Sequence, residues 1–342
     1  MINSRKISAK RRVEQFWNSF KSKSNDIEKS IGKKDSVEIV CQIIDKYLPQ
    51  LSFQYGYNNE KNKFDFQFSS EGNIDYQFLA KYCISLAPKS LENWMFSEFK
   101  QPSIKNPEEY YNIYNKKFII KDFKVYPTKE NNKINISIYH EHFTDMSEKE
   151  QYGIIYIVLD DVLGEGGTDL WFNNIIALKK EADKQYLEII ELAKYLDDFF
   201  DEMNIEKICD PTSIWNTYKY KTFDRNDYDR KDIIAGVSRN MKLLNNEKSS
   251  IANVGADYIY LVFKNEFIIE DGKIEKRSKI EDYINDVLEK NHSGFLMGGA
   301  TGINNSYIDV LVFDGIRSVK MIRKSVKSSF PNCNFEIRYF KK

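Results

Sequence analysis

This 342-residue chain has no net charge, no cysteine pairing motif and no long apolar run. Lys and Arg together number 51, and so do Asp and Glu, so no long-range field gathers phosphate backbones or anionic lipid. Nucleic acid and membrane surfaces are therefore not the expected partners. No segment nears the roughly 20 uninterrupted apolar residues of a bilayer span. Met1 to Arg12 is basic and polar, with no apolar stretch of the kind a secretory signal needs. The four cysteines, Cys41, Cys83, Cys209 and Cys333, are far apart and form no CxxC pair. Buried free thiols in a reducing compartment explain them better than a zinc site or a disulfide framework. A cytoplasmic protein is expected.

Catalytic signatures are missing too. There is no GxSxG elbow, and no cysteine sits in a catalytic context. Gly298-Gly299-Ala300-Thr301-Gly302 lacks the Lys-Ser/Thr ending of a phosphate loop, so a hairpin turn with positive φ is the simpler expectation for it. No cofactor is expected.

What the chain does have is periodic apolar patterning. Helical spacing marks Lys6 to Ile31, through Val13, Phe16, Trp17 and Phe20, and Ser36 to Tyr47, which Pro49 ends. Alternation marks a hairpin from Leu51 to Ser69, and a helix from Ile74 to Leu86 follows. Strands are expected at Trp94–Phe99, Lys117–Tyr126 and Lys133–His142. Ser147 with Glu150 forms a capping box for a helix that runs to Leu163 and is ended by Gly164-Glu165-Gly166-Gly167. An edge strand from Thr168 to Ala177 then closes an α+β domain over residues 1–178. A helix from Lys179 to Met203 and an irregular stretch from Cys209 to Tyr228 bridge to a second domain, and a short helix is expected around Val237 to Leu244.

The last quarter carries the clearest fold signal. Strands at Tyr258–Lys264, Gly294–Gly299, Ser306–Phe313 and Asn334–Phe340 alternate with helices at Ser278–Asn291 and Ile316–Ser329. This is the βαββαβ order of a ferredoxin-like domain, placed at 229–342 with its first and third strands central. Period two puts Ile259, Leu261, Phe263, Ile308, Val310, Val312, Phe335 and Ile337 under the helices. It leaves Tyr258, Tyr260, Tyr307, Asp309, Glu336 and Arg338 on the opposite face. Aromatic area beside fixed charges suits a binding surface for another protein; packing between domains is the plainer alternative.

His140-Glu141-His142 places two imidazoles on one side of a strand, so a metal-dependent hydrolase using His140 and His142 is a second expectation. The same parity continues Ile134, Ile136 and Ile138, so a histidine here also reads as the end of an apolar stripe. A third expectation is a small-ligand sensor with its pocket near Asp309 and the glycine stretch.

Several short segments together resemble a group of uncharacterised bacterial proteins. They are Phe16-Trp17, Ser70-Glu71-Gly72-Asn73, Ala87-Pro88 with Trp94 and Phe99, and Leu163-Gly164-Glu165. Arg230-Lys231-Asp232-Ile233, Gly298-Gly299-Ala300-Thr301-Gly302 and Tyr307-Ile308-Asp309 complete the set. The resemblance implies a two-part organisation, a bacterial origin and a loose association with toxin–immunity systems. It carries over no catalytic residue. The leading expectation is a non-enzymatic protein-binding module of an immunity-like kind, with a toxin as one candidate partner.

Overall fold

A computed structural model describes residues 7–220, 230–245, 249–268 and 275–340. Lys6, where the first helix was expected to start, and 221–229, which end the expected irregular stretch, lie outside these residues. The chain is α+β, and no described helix is long and apolar enough to cross a membrane.

α1 (Ala9–Ser30) forms because Ser8 caps it, its Oγ accepting from the Arg11 N–H, and because Val13, Phe16, Trp17, Phe20 and Ile27 fall on one buried stripe. α2 (Lys34–Tyr47) follows, then the antiparallel pair β1 (Ser52–Asn58) and β2 (Lys63–Ser69). α3 (Ile74–Ser85) precedes β3 (Trp94–Ser97), which pairs parallel to β2. Phe16, Phe20, Phe66 and Phe68 pack at the centre of this layer. The Trp17 indole N–H donates to the Cys83 carbonyl at 2.8 Å.

The middle of the chain differs from its sequence pattern in three places. The expected strand from Lys117 to Tyr126 is split. β4 (Tyr110–Ile113) and β5 (Lys116–Ile119) form a hairpin, and β6 (Lys124–Glu130) starts after a tight turn. β6 pairs with β7 (Lys133–Tyr139). α4 (Glu148–Leu163) carries the expected capping box, with both Ser147 and Glu150 contacts formed. Gly164 ends it at φ +83°, but a short α5 (Glu165–Leu170) follows, so the next strand, β8 (Phe172–Leu178), starts later than expected. The long bridging helix is also cut: β9 (Leu187–Glu188) adds to β6, a 3-10 turn covers Ile189–Glu191, and α6 (Leu192–Met203) is the α-helical part. Ile189, Leu192, Leu196 and Phe200 of that segment are buried, while Tyr186 is 43% exposed and Leu187 and Glu188 serve a sheet edge.

Among the described residues the last sheet has six strands, in the order β10-β11-β13-β14-β12-β15. These are β10 (Asn216–Lys219), β11 (Ile233–Ser238), β12 (Asp257–Lys264), β13 (Gly294–Gly302), β14 (Asn305–Val312) and β15 (Phe335–Tyr339). α7 (Asn265–Ile268), α8 (Glu275–Lys290) and α9 (Ile316–Ser329) complete the elements. β12 and β14 are central, and Ile259, Leu261, Phe263, Ile308, Val310 and Val312 meet Ile280, Ile284, Ile322 and Val326 of α8 and α9, as the alternation implies. Two expectations here are corrected. Val237 belongs to a strand instead of a helix, with a single 3-10 turn following at Met241–Asn245.

The glycine stretch is likewise no turn. It lies extended within β13, and none of Gly298, Gly299 and Gly302 has positive φ. Its glycines serve close approach instead: a Cβ would meet the Val237 carbonyl at Gly298, the Glu281 carboxylate at Gly299 and Asp232 at Gly302. The turn itself falls at Ile303 and Asn304.

Candidate functional site

Four of the six residues expected to present a binding surface are buried. Tyr258 is 5% exposed, Tyr260 1%, Tyr307 2% and Asp309 1%. Alternation placed them correctly on the face away from α8 and α9, but that face is covered. At one end α3 closes over it. The Tyr82 and Phe313 rings stack at 3.9 Å, and the Tyr258 hydroxyl donates to Asp75 Oδ1 at 2.9 Å. Asn240 Nδ2 and the Ser249 and Ser250 groups also donate to Asp75, so this buried carboxylate is fully engaged. Burial and the neighbouring Asp75 charge push the Tyr258 phenol far above its ordinary range.

In the middle of the face sits Arg230. Its guanidinium lies over the rings of Tyr260, Tyr307 and Phe340 at 5.1, 5.8 and 4.4 Å and donates to both Asp309 oxygens at 2.8 and 3.0 Å. Asp232 accepts from the backbone N–H groups of Asn304 and Asn305 at 3.0 Å and from the Tyr307 hydroxyl. Arg230-Lys231-Asp232, the glycine stretch and Tyr307-Ile308-Asp309 thus converge on one buried polar seam. Only Glu336 and Arg338 remain exposed, paired with each other at 2.6 Å.

His140 and His142 come together, with ring centroids 5.0 Å apart. β7 ends at Tyr139, so His142 sits in a 3-10 turn instead of on the strand. His140 ends the buried stripe of Ile134, Ile136 and Ile138, between Phe118 and Phe123 at 4.8 and 4.6 Å. Its Nδ1 accepts from the His142 backbone N–H, which leaves the neutral ring's proton on Nε2, and Nε2 has no hydrogen-bond partner. Burial, aided by His142, lowers its pKa to about 4. No group of three potential metal ligands occurs among the described residues.

A cavity that the sequence did not single out has more chemistry. It is about 630 Å³ and lies among the turn after β2, Lys100, α4 and α5. Local backbone geometry builds it. Glu71 at φ +48° and Gly72 at φ +71° fold the chain back after β2, and Gly164 turns α4 into α5 so that Glu165 points inward. Glu165 is 2% exposed; its Oε1 accepts from the Ser70 N–H and Oγ at 3.0 and 2.9 Å, and its Oε2 from the Lys100 N–H at 3.3 Å. Around this floor stand Asp160, 3.5 Å from Lys100 Nζ, and Glu71, 4.0 Å from the same atom. Asp169 accepts from Gln77 at 2.6 Å.

Four carboxylates therefore face one ammonium group among the lining residues. Burial raises the Asp160 pKa to about 6 against the pull of Lys100. Asp169 is also raised, by desolvation and then by the charges of Glu165 and Asp160. Because its side chain is exposed at the rim, solvent screens part of that effect. Tyr156, also at the rim, is raised by burial, then by Tyr152, Asp169 and Asp160. The signal for this cavity was in the sequence, since Ser70-Glu71-Gly72 and Leu163-Gly164-Glu165 both bear on it. Nothing in their spacing said that they meet.

Comparison with protein families, with curated proteins and with solved structures gives no match.

Proposed function

We propose that this chain is a non-enzymatic binding protein that takes a cationic group, an ammonium or guanidinium, into the cavity lined by Glu71, Asp160, Glu165 and Asp169. The observation that carries this reading is the excess of carboxylates over Lys100 among the lining residues, with the Asp160 and Asp169 pKa values both raised, chiefly by burial. A cation entering there would lower the pKa values of Asp160 and Asp169 and displace their protons. The most fitting source is a basic side chain of a protein partner, which keeps the immunity-like reading with a toxin as the partner class. A free small amine is the other source. The four free cysteines support a cytoplasmic setting. The strand order β13-β14-β12-β15 with α8 and α9 on one face supports reading the last part of the chain as a ferredoxin-like unit extended by β11 and β10.

The test is calorimetric titration with Lys- and Arg-containing peptides in one arm and free diamines in the other. Binding should release protons, so the heat should depend on buffer, and affinity should fall as pH drops below 6. Asp160→Asn should weaken binding at least about tenfold, the loss of a charge-assisted contact. A ligand affinity that ignores Asp160→Asn would remove the proposal.

The same variant has a second readout. A carboxyl whose folded pKa lies above its unfolded value costs stability once pH rises through the folded value. Asp160→Asn should therefore stabilise the protein at pH 8, by about 1–2 kcal/mol after allowing for the lost Lys100 contact, and by less at pH 5. Denaturant titration at the two pH values checks it.

A further inference from the structure

β15 is the last strand of the six-stranded sheet, and among the described residues its only ladder is with β12. The Phe340 N–H donates to the Tyr258 carbonyl at 3.1 Å, which fixes the parity of that ladder. Residues 336, 338 and 340 turn their backbone groups toward β12, and the N–H and C=O of Phe335 and Ile337 point away from it.

Glu336 and Arg338 flank Ile337 on the face away from the helices, opposite Val262 and Tyr260 in the ladder. The two are 67% and 46% exposed in their side chains and border a shallow cavity of about 390 Å³.

We propose that β15 pairs with β15 of a second copy of this chain, antiparallel about a two-fold axis at Ile337, so that the two sheets become one. This goes beyond the cation-binding reading and uses a different surface.

The register follows from charge. An antiparallel pair must match outward-pointing residues with each other, which puts the two-fold centre on a residue, and the centres that overlap most of β15 are 336, 337 and 338. A centre at 336 sets Glu336 against Glu336 of the second copy, and a centre at 338 sets Arg338 against Arg338. A centre at 337 sets each Glu336 against the second copy's Arg338, twice. In that register Ile337 forms a hydrogen-bonded pair with its mate, and Glu336 and Arg338 occupy the non-hydrogen-bonded sites, where facing side chains are closest. The ion pair within each strand only has to change partners. An exposed edge strand with no proline and a self-complementary charge pattern is suited to such pairing. A strand edge buries less area than a standard interface, so the dimer should be weak and reversible.

The experiment is sedimentation velocity on the full chain across a concentration series, with Glu336→Arg and Arg338→Glu examined alone and as an equimolar mixture. Both positions are exposed, and circular dichroism confirms that each variant is folded. Wild type should show a monomer–dimer equilibrium. Each single variant sets like charges opposite each other and should lose dimer affinity by roughly tenfold or more, and the mixture should restore it as a heterodimer. A wild type that stays monomeric at the highest soluble concentration would overturn the proposal, whether or not a different protein adds to this edge. So would single variants that dimerise like wild type, or a mixture that remains monomeric.

Discussion

Asp309→Leu should destabilise the fold by about 3–5 kcal/mol, since it takes away a carboxylate that the buried Arg230 guanidinium meets through two hydrogen bonds. Both side chains are almost fully buried, at 2% and 1% exposure, and the contact uses both carboxylate oxygens. The cost is that of breaking a buried ion pair by removing one of its members. Arg230→Met combined with Asp309→Leu should recover part of the loss, because the methionine can lie among Tyr260, Tyr307 and Phe340 and the ion pair is removed as a whole. Urea unfolding of the two single variants and the double variant tests this directly. If Asp309→Leu costs under 1 kcal/mol, the seam is not the anchor described here.

The second large effect depends on pH. His140 is neutral and buried, with a folded pKa of about 4 against an ordinary value near 6.5. As pH falls through 6.5, the unfolded chain takes up a proton at this histidine and the folded chain does not, so stability is lost progressively down to about pH 4. Between pH 7 and pH 4.5 this amounts to about 2.5 kcal/mol. His140→Phe fits an environment already made of Phe118, Phe123 and Phe143. It should make the difference in unfolding free energy between those two pH values smaller by that amount. Carboxylate contributions, including those of Asp160 and Asp169, are common to both proteins and cancel in the comparison. An unchanged pH dependence would mean that His140 reaches solvent or a partner in the folded state.

The contrast between these two sites shows what the sequence could and could not reveal. Period-two alternation sorted the faces of β12 and β14 correctly, because the side-chain period of a strand is a property of the backbone alone. It could not say what lay on the far face. Burial of Tyr258 depends on Asp75, 183 residues away, and that of Asp309 on Arg230, 79 residues away. Glu336 and Arg338 stayed exposed because nothing among the described residues covers that end.

His140 was read both as a ligand and as the end of an apolar stripe. The stripe is what the structure has, since the phenylalanines that close on it come from a separate hairpin and turn. The glycine stretch was misread because glycine signals two different needs, positive φ and lack of volume, and here the second applies. The acidic cavity was missed because Glu71, Asp160, Glu165 and Asp169 are four ordinary carboxylates among 51 acidic residues. Only the paired turns at Gly72 and Gly164 give them a common focus.

The first helix, α1, is held in place by residues from the far end of the chain. The start of α1 is tied by its Ala9 N–H to the Gly255 carbonyl and by its Lys10 N–H to the Phe313 carbonyl. The core around Trp17 contains Tyr258, Met297, Leu311 and Phe313. A ribosome must therefore deliver more than three hundred residues before the earliest helix finds its final neighbours. Such high contact order predicts slow folding with a long-lived, partly assembled species. Fragments cut near residue 178 should expose aromatic surface and bind chaperones instead of standing alone.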